Sequence, residues 1–309
     1  MAMDWVTVLV RFALYLDLML VFGLPLFHLH ALRKPERSSV LARKLSTLTV
    51  SAAIVGMLLS TISMVLMTKA MSGAADFSSI EQHMFEMMLT DTPFGLAWCL
   101  RMTMLVLCVL AGLFLAQAPT SKFGMMSLAG GVALATLSWG GHGAMDEGAR
   151  GQLHLAADII HLLAAGAWIG ALAVFILLLA LRDGHGANNV TLLSRTLNGF
   201  ALMGTVIVGS LLITGALNYW LIVGPTVTGL FSTPYGQLLI AKLVLFGMML
   251  ALAAANRYRL SPILERAHVF GEHQEAVEAL RRSLFFETAC ACLILALVAW
   301  LGTLGPMID

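Results

Sequence analysis

The chain has 309 residues, of which 59% are hydrophobic and only 11% are charged, and its mean hydropathy is +0.89. Soluble domains carry about 25% charged residues, so this composition excludes a water-soluble protein and predicts an all-α integral membrane protein. The net charge of +1 argues against a nucleic-acid partner, which would normally require a basic face.

Eight apolar segments are each near or above the roughly 20 residues that a helix needs to cross a bilayer. They span approximately residues 5–31, 42–70, 93–116, 124–141, 152–181, 194–223, 235–258 and 281–305. We therefore expect a single membrane domain of eight transmembrane helices surrounded by lipid, with the first four in residues 1–141 and the last four in residues 142–309. The chain contains no P-loop and no Asp-Lys-Thr-Gly stretch, so ATP is not expected to drive its activity.

Lysine and arginine residues are concentrated in the first, third, fifth and seventh connections between these segments. Positively charged loops usually stay on the cytoplasmic side of the membrane. This asymmetry predicts that the odd-numbered connections are cytoplasmic and that both termini are periplasmic.

Soft metal ligands are concentrated at the predicted periplasmic end of the second span and in the loop that follows it. Met64, Met67 and Met71 share one helical face, a pattern that on its own is more often packing than ligation. The loop adds His83, Met84, Met87 and Met88, and a water-exposed loop gains little from thioethers. Thioethers and imidazoles suit Cu(I), and imidazole also suits Cu(II).

The fifth span carries three ionisable side chains on one helical face, because His154, Asp158 and His161 are spaced at i, i+4 and i+7. Ionisable groups are costly in hydrocarbon and usually face a cavity with a functional role. Together with His142, at the end of the fourth span, they are predicted to form a metal site, in which Asp158 orients an imidazole.

Other charged residues are also predicted to be buried. Arg11, Arg101 and Lys242 lie in the periplasmic part of their spans, Asp17 lies deeper, and Glu287 lies toward the cytoplasmic end of the eighth span. Pairing is the least costly way to hold such charges in a membrane. We therefore expect Asp17 or Asp158 to pair with one of the three cations as a structural lock.

Four groups of residues together match the sequence pattern of a known family. These are Gly141-His-Gly with Asp158-Ile-Ile-His161 and Ala167-Trp-Ile-Gly-Ala-Leu172; Thr214-Gly with Asn218; Thr233-Pro-Tyr-Gly-Gln-Leu-Leu-Ile-Ala-Lys242 with Asn256; and Arg281 to Glu287 with Gly302-Thr-Leu-Gly-Pro306. The pattern resembles the copper resistance protein D (CopD/PcoD) family of bacterial inner-membrane proteins, most strongly from about residue 139 to residue 306. Met307 stands where the family usually has a second proline.

The resemblance implies copper uptake across the bacterial inner membrane, with a periplasmic copper-binding partner of the CopC type. It also implies functional roles for His142, Asp158, His161 and Lys242. The roles of His154 and of the ligands in the loop at residues 83–88 are predicted from chemistry and topology alone.

Two mechanisms and a third class of function follow from the sequence. In the first, a transporter rather than an enzyme passes copper, with Cu(I) favoured, through a path lined by histidine and methionine. In the alternative, a quinol-linked membrane oxidoreductase binds haem b through His142 and His161, while Arg11, Arg101 and Lys242 contact the haem propionates or a quinone. A third possibility is a sensor or assembly subunit that holds the copper-binding partner.

Overall fold

A computed structural model describes residues 4–33, 36–37, 39–74, 76–141, 148–180, 186–225, 229–263 and 274–304. Over these ranges the fold is all-α and contains no strand. Eight helices are long and apolar enough to cross a membrane, which confirms the predicted polytopic bundle.

The α-helices within the described ranges are numbered in chain order. Their bounds are α1 Trp5–Ala31, α2 Val40–Ser72, α3 Gln82–Thr90, α4 Pro93–Phe114, α5 Pro119–Ala135, α6 Gly148–Ala180, α7 Gly186–Ile222, α8 Gly229–Ser232, α9 Pro234–Ala255 and α10 Gln274–Leu301. Helices α3 and α8 are short and lie between spans. A 3₁₀ turn at Thr136–Gly140 continues α5, and a π turn at Asn256–Leu260 continues α9.

The start of α1 and the end of α10 lie at the same end of the bundle, since the rings of Trp5 and Trp300 are 5.9 Å apart. This end is the predicted periplasmic one and is called the outer end below. The opposite end is called the inner end.

Local sequence explains where several helices begin and end. Helices α4 and α9 both start at the outer end with a Thr-Pro pair, in which Thr92 or Thr233 accepts a hydrogen bond from a backbone N–H at 3.0 Å. Proline at the first helical position has no N–H to leave unsatisfied. Helix α2 ends at Gly73, whose φ of 66° is a left-handed conformation that glycine adopts without strain.

Helix α1 is the centre of the bundle and packs against α2, α5, α6 and α10. Its contact with α6 depends on Gly23 and Gly170, because a Cβ atom at Gly23 would lie 2.7 Å from the Gly170 Cα atom. Small residues allow this close approach, which replaces the hydrophobic driving force that helices lack in lipid.

Helices α6, α7, α9 and α10 surround three cavities that follow one another along the bundle. The outer cavity has a volume of about 180 Å³, the middle cavity about 390 Å³ and the inner cavity about 340 Å³. His161 and Lys242 border both the outer and the middle cavity, and Trp168 borders both the middle and the inner cavity. Helix α6 therefore connects all three cavities.

Candidate functional site

Four of the ionisable residues that the sequence singled out line the outer cavity. Helix α6 contributes Asp158 and His161, α1 contributes Arg11, and α9 contributes Lys242 and Tyr235. Groups of both charge signs therefore face one small cavity at the depth expected for a membrane binding site.

His161 is held in one orientation by a chain of two hydrogen bonds. Its Nδ1 atom lies 2.8 Å from the Thr214 hydroxyl oxygen, and the Thr214 hydroxyl donates to the Ser210 carbonyl oxygen at 2.6 Å. Because a hydroxyl has only one proton, Nδ1 must be the donor to Thr214. In the neutral ring this places the lone pair on Nε2, which has no hydrogen-bond partner in the described part of the chain. Metal-binding imidazoles are commonly oriented in this way.

Asp158 lies between three neighbours from different positions in the bundle. One carboxylate oxygen accepts a hydrogen bond from the Asn218 side chain at 2.6 Å, and the other is 3.9 Å from His154 Nε2. Lys242 is close enough to interact electrostatically with Asp158. The carboxylate therefore offsets the charge of Lys242 beside the cavity. Asp158 was expected to orient an imidazole, and the imidazole next to its carboxylate is that of His154 and not that of His161.

The candidate copper ligands do not all share the outer cavity. Its lining contains no methionine among the described residues. His154 and Met64 are buried, and Met67 borders a separate cavity of about 100 Å³ between α1, α2 and α4. His142 lies outside the described residues.

The methionine-rich loop is a nine-residue helix, α3, that packs against α2 and α4. His83 is exposed and lies 3.0 Å from Glu81, whereas Met88 is completely buried. Met84 is half-buried and Met87 is exposed. Within the described ranges, no three His, Cys, Asp or Glu side chains form a ready metal site. A joint mouth of α3 and the histidines therefore stays a prediction.

The expected structural lock between buried charges is not found. No ion pair within 4.0 Å joins Asp17 or Asp158 to Arg11, Arg101 or Lys242 in the part of the chain that the structure describes. Asp17 faces Gly56 of α2 and has a buried oxygen without a hydrogen-bond partner. It lies six residues beyond Arg11 on α1, about 9 Å along the helix axis, and therefore cannot reach the same level.

Glu287 borders the inner cavity and binds only neutral hydrogen-bond donors among the described residues. Its two carboxylate oxygens accept from Trp168 Nε1 at 3.0 Å and from Asn256 Nδ2 at 2.8 Å. All three side chains are buried, and Asn256 begins the π turn that continues α9. These contacts link α6, α9 and α10 near the middle of the bundle.

Some residues around these cavities had no sequence signal. Thr136 accepts the Nε–H group of Arg101 at 2.8 Å, and Tyr15 borders the outer cavity. A single threonine or tyrosine in an apolar span is too common to identify a site. Thr214, Asn218 and Asn256 were identified only through the resemblance to a known family.

The fold and the buried charges define a polytopic helical membrane protein with an ionisable cavity in its outer half. Two family models match the sequence: copper resistance protein D-like, N-terminal domain, over residues 1–152, and copper resistance protein D, over residues 194–301. The chain is 48% identical to copper resistance protein D from Pseudomonas syringae pv. tomato, over 99% of this chain and 98% of that protein. It belongs to the copper resistance protein D family.

Two further relatives are more distant. The chain is 27% identical to inner membrane protein YebZ from Escherichia coli (strain K12), over 99% of both chains. It is 30% identical to copper transport protein CutJ from Bacillus subtilis (strain 168), over 80% of this chain and 45% of that protein. No solved structure matches this chain.

Proposed function

We propose that the protein is a copper permease of the bacterial inner membrane that carries copper from the periplasm to the cytoplasm. Three observations on relatives support this proposal. The Pseudomonas relative is named for copper resistance, the Bacillus relative for copper transport, and the Escherichia coli relative for the inner membrane. The eight apolar helices and the absence of an ATP-binding motif fit a permease better than a pump.

The observation that carries the proposal is the orientation of His161. Its Nδ1–H group is used by Thr214, so Nε2 is the atom available to a metal ion in the cavity. Imidazole nitrogen binds both Cu(I) and Cu(II), and a ring that is already oriented loses little freedom on binding. Copper binding requires a neutral ring, so loading should weaken as pH falls through the range in which histidine is protonated.

Asp158 makes the cavity acceptable to a cation although Lys242 lies nearby. Its carboxylate is held by Asn218 at 2.6 Å and interacts with the Lys242 charge. A copper ion at His161 would therefore approach a partly neutralised pair instead of an isolated ammonium group. Because this compensation depends on the negative charge, Asp158 is the second residue on which copper loading should depend.

The route continues along α6 from the outer to the inner cavity. His161 and Trp168 are seven residues apart on this helix, which is two turns or about 10.5 Å. The middle cavity between them has mainly apolar walls that include Met249, and the inner cavity reaches Glu287. Without ATP, flux would follow the membrane potential and the binding of copper by cytoplasmic sinks.

A periplasmic copper-binding protein of the CopC type would deliver copper at the outer end. Helix α3 offers His83 and Met87 as exposed ligands on that side of the bundle. Thioether and imidazole ligands suit Cu(I) transfer between proteins because they bind it without a fixed geometry. We propose that α3 receives copper and that His161 accepts it at the entrance to the membrane path.

A b-type haem is the alternative use of the same imidazole. Nε2 of His161 could be an axial ligand, and Arg11 and Lys242 border the same cavity, where they would meet propionates. However, among the described residues no second histidine lines either cavity that His161 borders, and two relatives are named for copper. The permease is therefore the better-supported function.

Copper uptake by purified protein in liposomes tests the proposal. His161→Ala should abolish uptake, whereas His30→Ala should not, because His30 is exposed at the inner end of α1, where its ring contacts the Gly199 carbonyl at 3.3 Å. Equal uptake by wild type and His161→Ala would contradict the permease. An absorption spectrum with a Soret band that His161→Ala removes would favour haem instead.

A further inference from the structure

A second cavity at the outer end is lined by two arginine residues. It has a volume of about 100 Å³, and Arg11 of α1 and Arg101 of α4 both line it. Tyr15, one turn after Arg11 on the same face of α1, also lines it, as do the hydroxyl-bearing residues Thr7 and Ser63. The lining contains no aspartate or glutamate among the described residues.

The charge of Arg101 is buried without an acidic partner in the described part of the chain. Its side chain is only 2% exposed, and its two hydrogen bonds use Nε at 2.8 Å and Nη2 at 3.3 Å, both to Thr136. Both acceptors are neutral oxygens. This geometry leaves the Nη1 group of Arg101 available to another acceptor, beside a cavity that is not filled by a side chain.

Arg11, on the α1 side of the cavity, also lacks an acidic partner in the described part of the chain. Its Nε–H group is buried and has no hydrogen-bond partner, and its guanidinium lies against Gly302, where any Cβ atom would collide with it. The nearest carboxylate on α1 is Asp17, which faces Gly56 instead. Two arginines, Arg101 buried and Arg11 partly buried, therefore line one cavity whose described lining contains no carboxylate.

We propose that this cavity binds a small inorganic anion, and we assign chloride as the occupant. An anion between the two guanidinium groups would accept the unused N–H groups of Arg11 and Arg101 and the hydroxyl of Tyr15. Charge-assisted hydrogen bonds of this kind are the strongest that these donors can make, and arginine is well suited to them in a desolvated site. The small volume fits a single ion rather than a lipid headgroup or a porphyrin.

The anion would also change the electrostatics of the copper entrance. Arg11 borders both the anion cavity and the outer cavity that contains His161. A bound chloride would neutralise positive charge next to the place where a copper cation is proposed to bind. Chloride should therefore strengthen copper binding at the outer cavity, a consequence that rests on the proposed function.

Anion binding can be measured without copper, through the thermal unfolding of the full-length protein in detergent. Sodium chloride is titrated against sodium gluconate at constant ionic strength, so that only the identity of the anion changes. Wild type should show a rise in Tm that saturates with chloride concentration. Arg11→Gln and Arg101→Gln should lose this rise, whereas Arg43→Gln should keep it, because Arg43 is exposed at the inner end of α2.

Tyr15→Phe provides a milder variant if loss of an arginine prevents folding. It removes one hydroxyl donor, so its apparent chloride affinity should be roughly tenfold weaker than that of wild type. An equal Tm in chloride and gluconate, or a chloride effect that Tyr15→Phe and both arginine variants retain, would overturn the proposal. Saturation by phosphate but not by chloride would overturn the assignment of the ion.

A copper titration in chloride and in gluconate then tests the link to transport. A chloride-dependent Tm with unchanged copper affinity would contradict the electrostatic coupling and leave the anion site standing. Failure of copper binding in both media, with a saturable chloride effect on Tm, would count against the proposed function alone.

Discussion

The outer and inner cavities share four lining helices, α6, α7, α9 and α10, but use their buried polar groups differently. In the outer cavity, His161 keeps a nitrogen without a partner among the described residues, and Asp158 and Lys242 carry opposite charges nearby. In the inner cavity, both oxygens of Glu287 are occupied by the neutral donors Trp168 and Asn256. An available lone pair indicates a ligand site, whereas a satisfied carboxylate indicates a link that holds helices together.

This difference predicts that substitutions at the outer cavity change copper affinity and that substitutions at the inner cavity mainly change stability. The first two variants below test this contrast, and two more address helix α3 and an ion pair that lines neither cavity. They are given in order of decreasing expected effect.

The largest effect is expected from loss of the residue that orients His161. Thr214→Val removes the acceptor for Nδ1–H while keeping the shape of the side chain, and loss of such an orienting partner typically weakens metal binding by roughly 10–100-fold. A copper titration of the purified variant measures this change. Thr61→Val is the matched control, since Thr61 is exposed on α2 and its hydroxyl makes the same kind of bond to a backbone carbonyl, at 2.9 Å. Similar copper affinities in the two variants would remove the role assigned to Thr214.

The second variant addresses the inner cavity. Trp168→Phe leaves one oxygen of the buried Glu287 without its 3.0 Å donor, which should lower the free energy of unfolding by about 1–3 kcal/mol. Copper affinity at the outer cavity should stay the same. Unfolding by denaturant and a copper titration on the same sample measure the two quantities. If the variant lost more free energy of copper binding than free energy of unfolding, the two cavities would not differ in the way proposed.

The third variant asks whether α3 receives copper. Met84→Leu with Met87→Leu should slow uptake from a limiting copper supply by less than tenfold and have no effect at saturating copper, because α3 lies before the membrane path. Initial uptake rates over a range of copper concentrations measure this. Met88→Leu is the packing control, since Met88 is fully buried and leucine has a similar volume. A slower maximal rate would place α3 within the path itself.

The smallest effect is expected at an ion pair on the inner end whose two residues line neither cavity. Glu36 accepts two hydrogen bonds from the Arg195 guanidinium, at 2.8 Å and 2.6 Å, and these hold the pKa of Glu36 below its usual value of 4.5. The pair therefore stabilises the fold above the pKa of the unfolded chain, and this contribution is lost as pH falls through the lower pKa of the folded state. Glu36→Gln should cost up to about 1 kcal/mol near neutral pH, because the pair is partly exposed.

Unfolding of Glu36→Gln and wild type across this pH range measures the effect. The difference in stability should shrink toward zero in acid. A difference that is independent of pH would mean that the pair contributes through packing instead of charge.

The sequence predicted the membrane helices well because their signal is local. Twenty consecutive apolar residues identify a span whatever it packs against. Helix α3 was missed, since nine residues in a loop give no comparable signal, and the loop was interpreted from its ligand chemistry alone. Asp158 and His161, which the spacing puts on one face of α6, both line the outer cavity.

The contacts between helices could not be predicted in the same way. Arg11, Asp17 and Arg101 were predicted to be buried, but their partners depend on how α1 is rotated against α2 and α4. Asp17 faces Gly56, so the expected ion pair does not form in the described structure. Likewise, nothing local distinguishes Thr214 from other threonines in apolar spans, and its contact with His161 depends on the packing of α6 against α7.

X-ray absorption spectroscopy of the copper-loaded protein tests the central claim most directly, namely that Nε2 of His161 is a copper ligand. In wild type we expect a nitrogen shell with the outer-ring scattering typical of imidazole, and we expect this scattering to weaken or vanish in His161→Ala while remaining in His30→Ala. An unchanged spectrum for His161→Ala, with copper still bound at the same stoichiometry, would contradict the account.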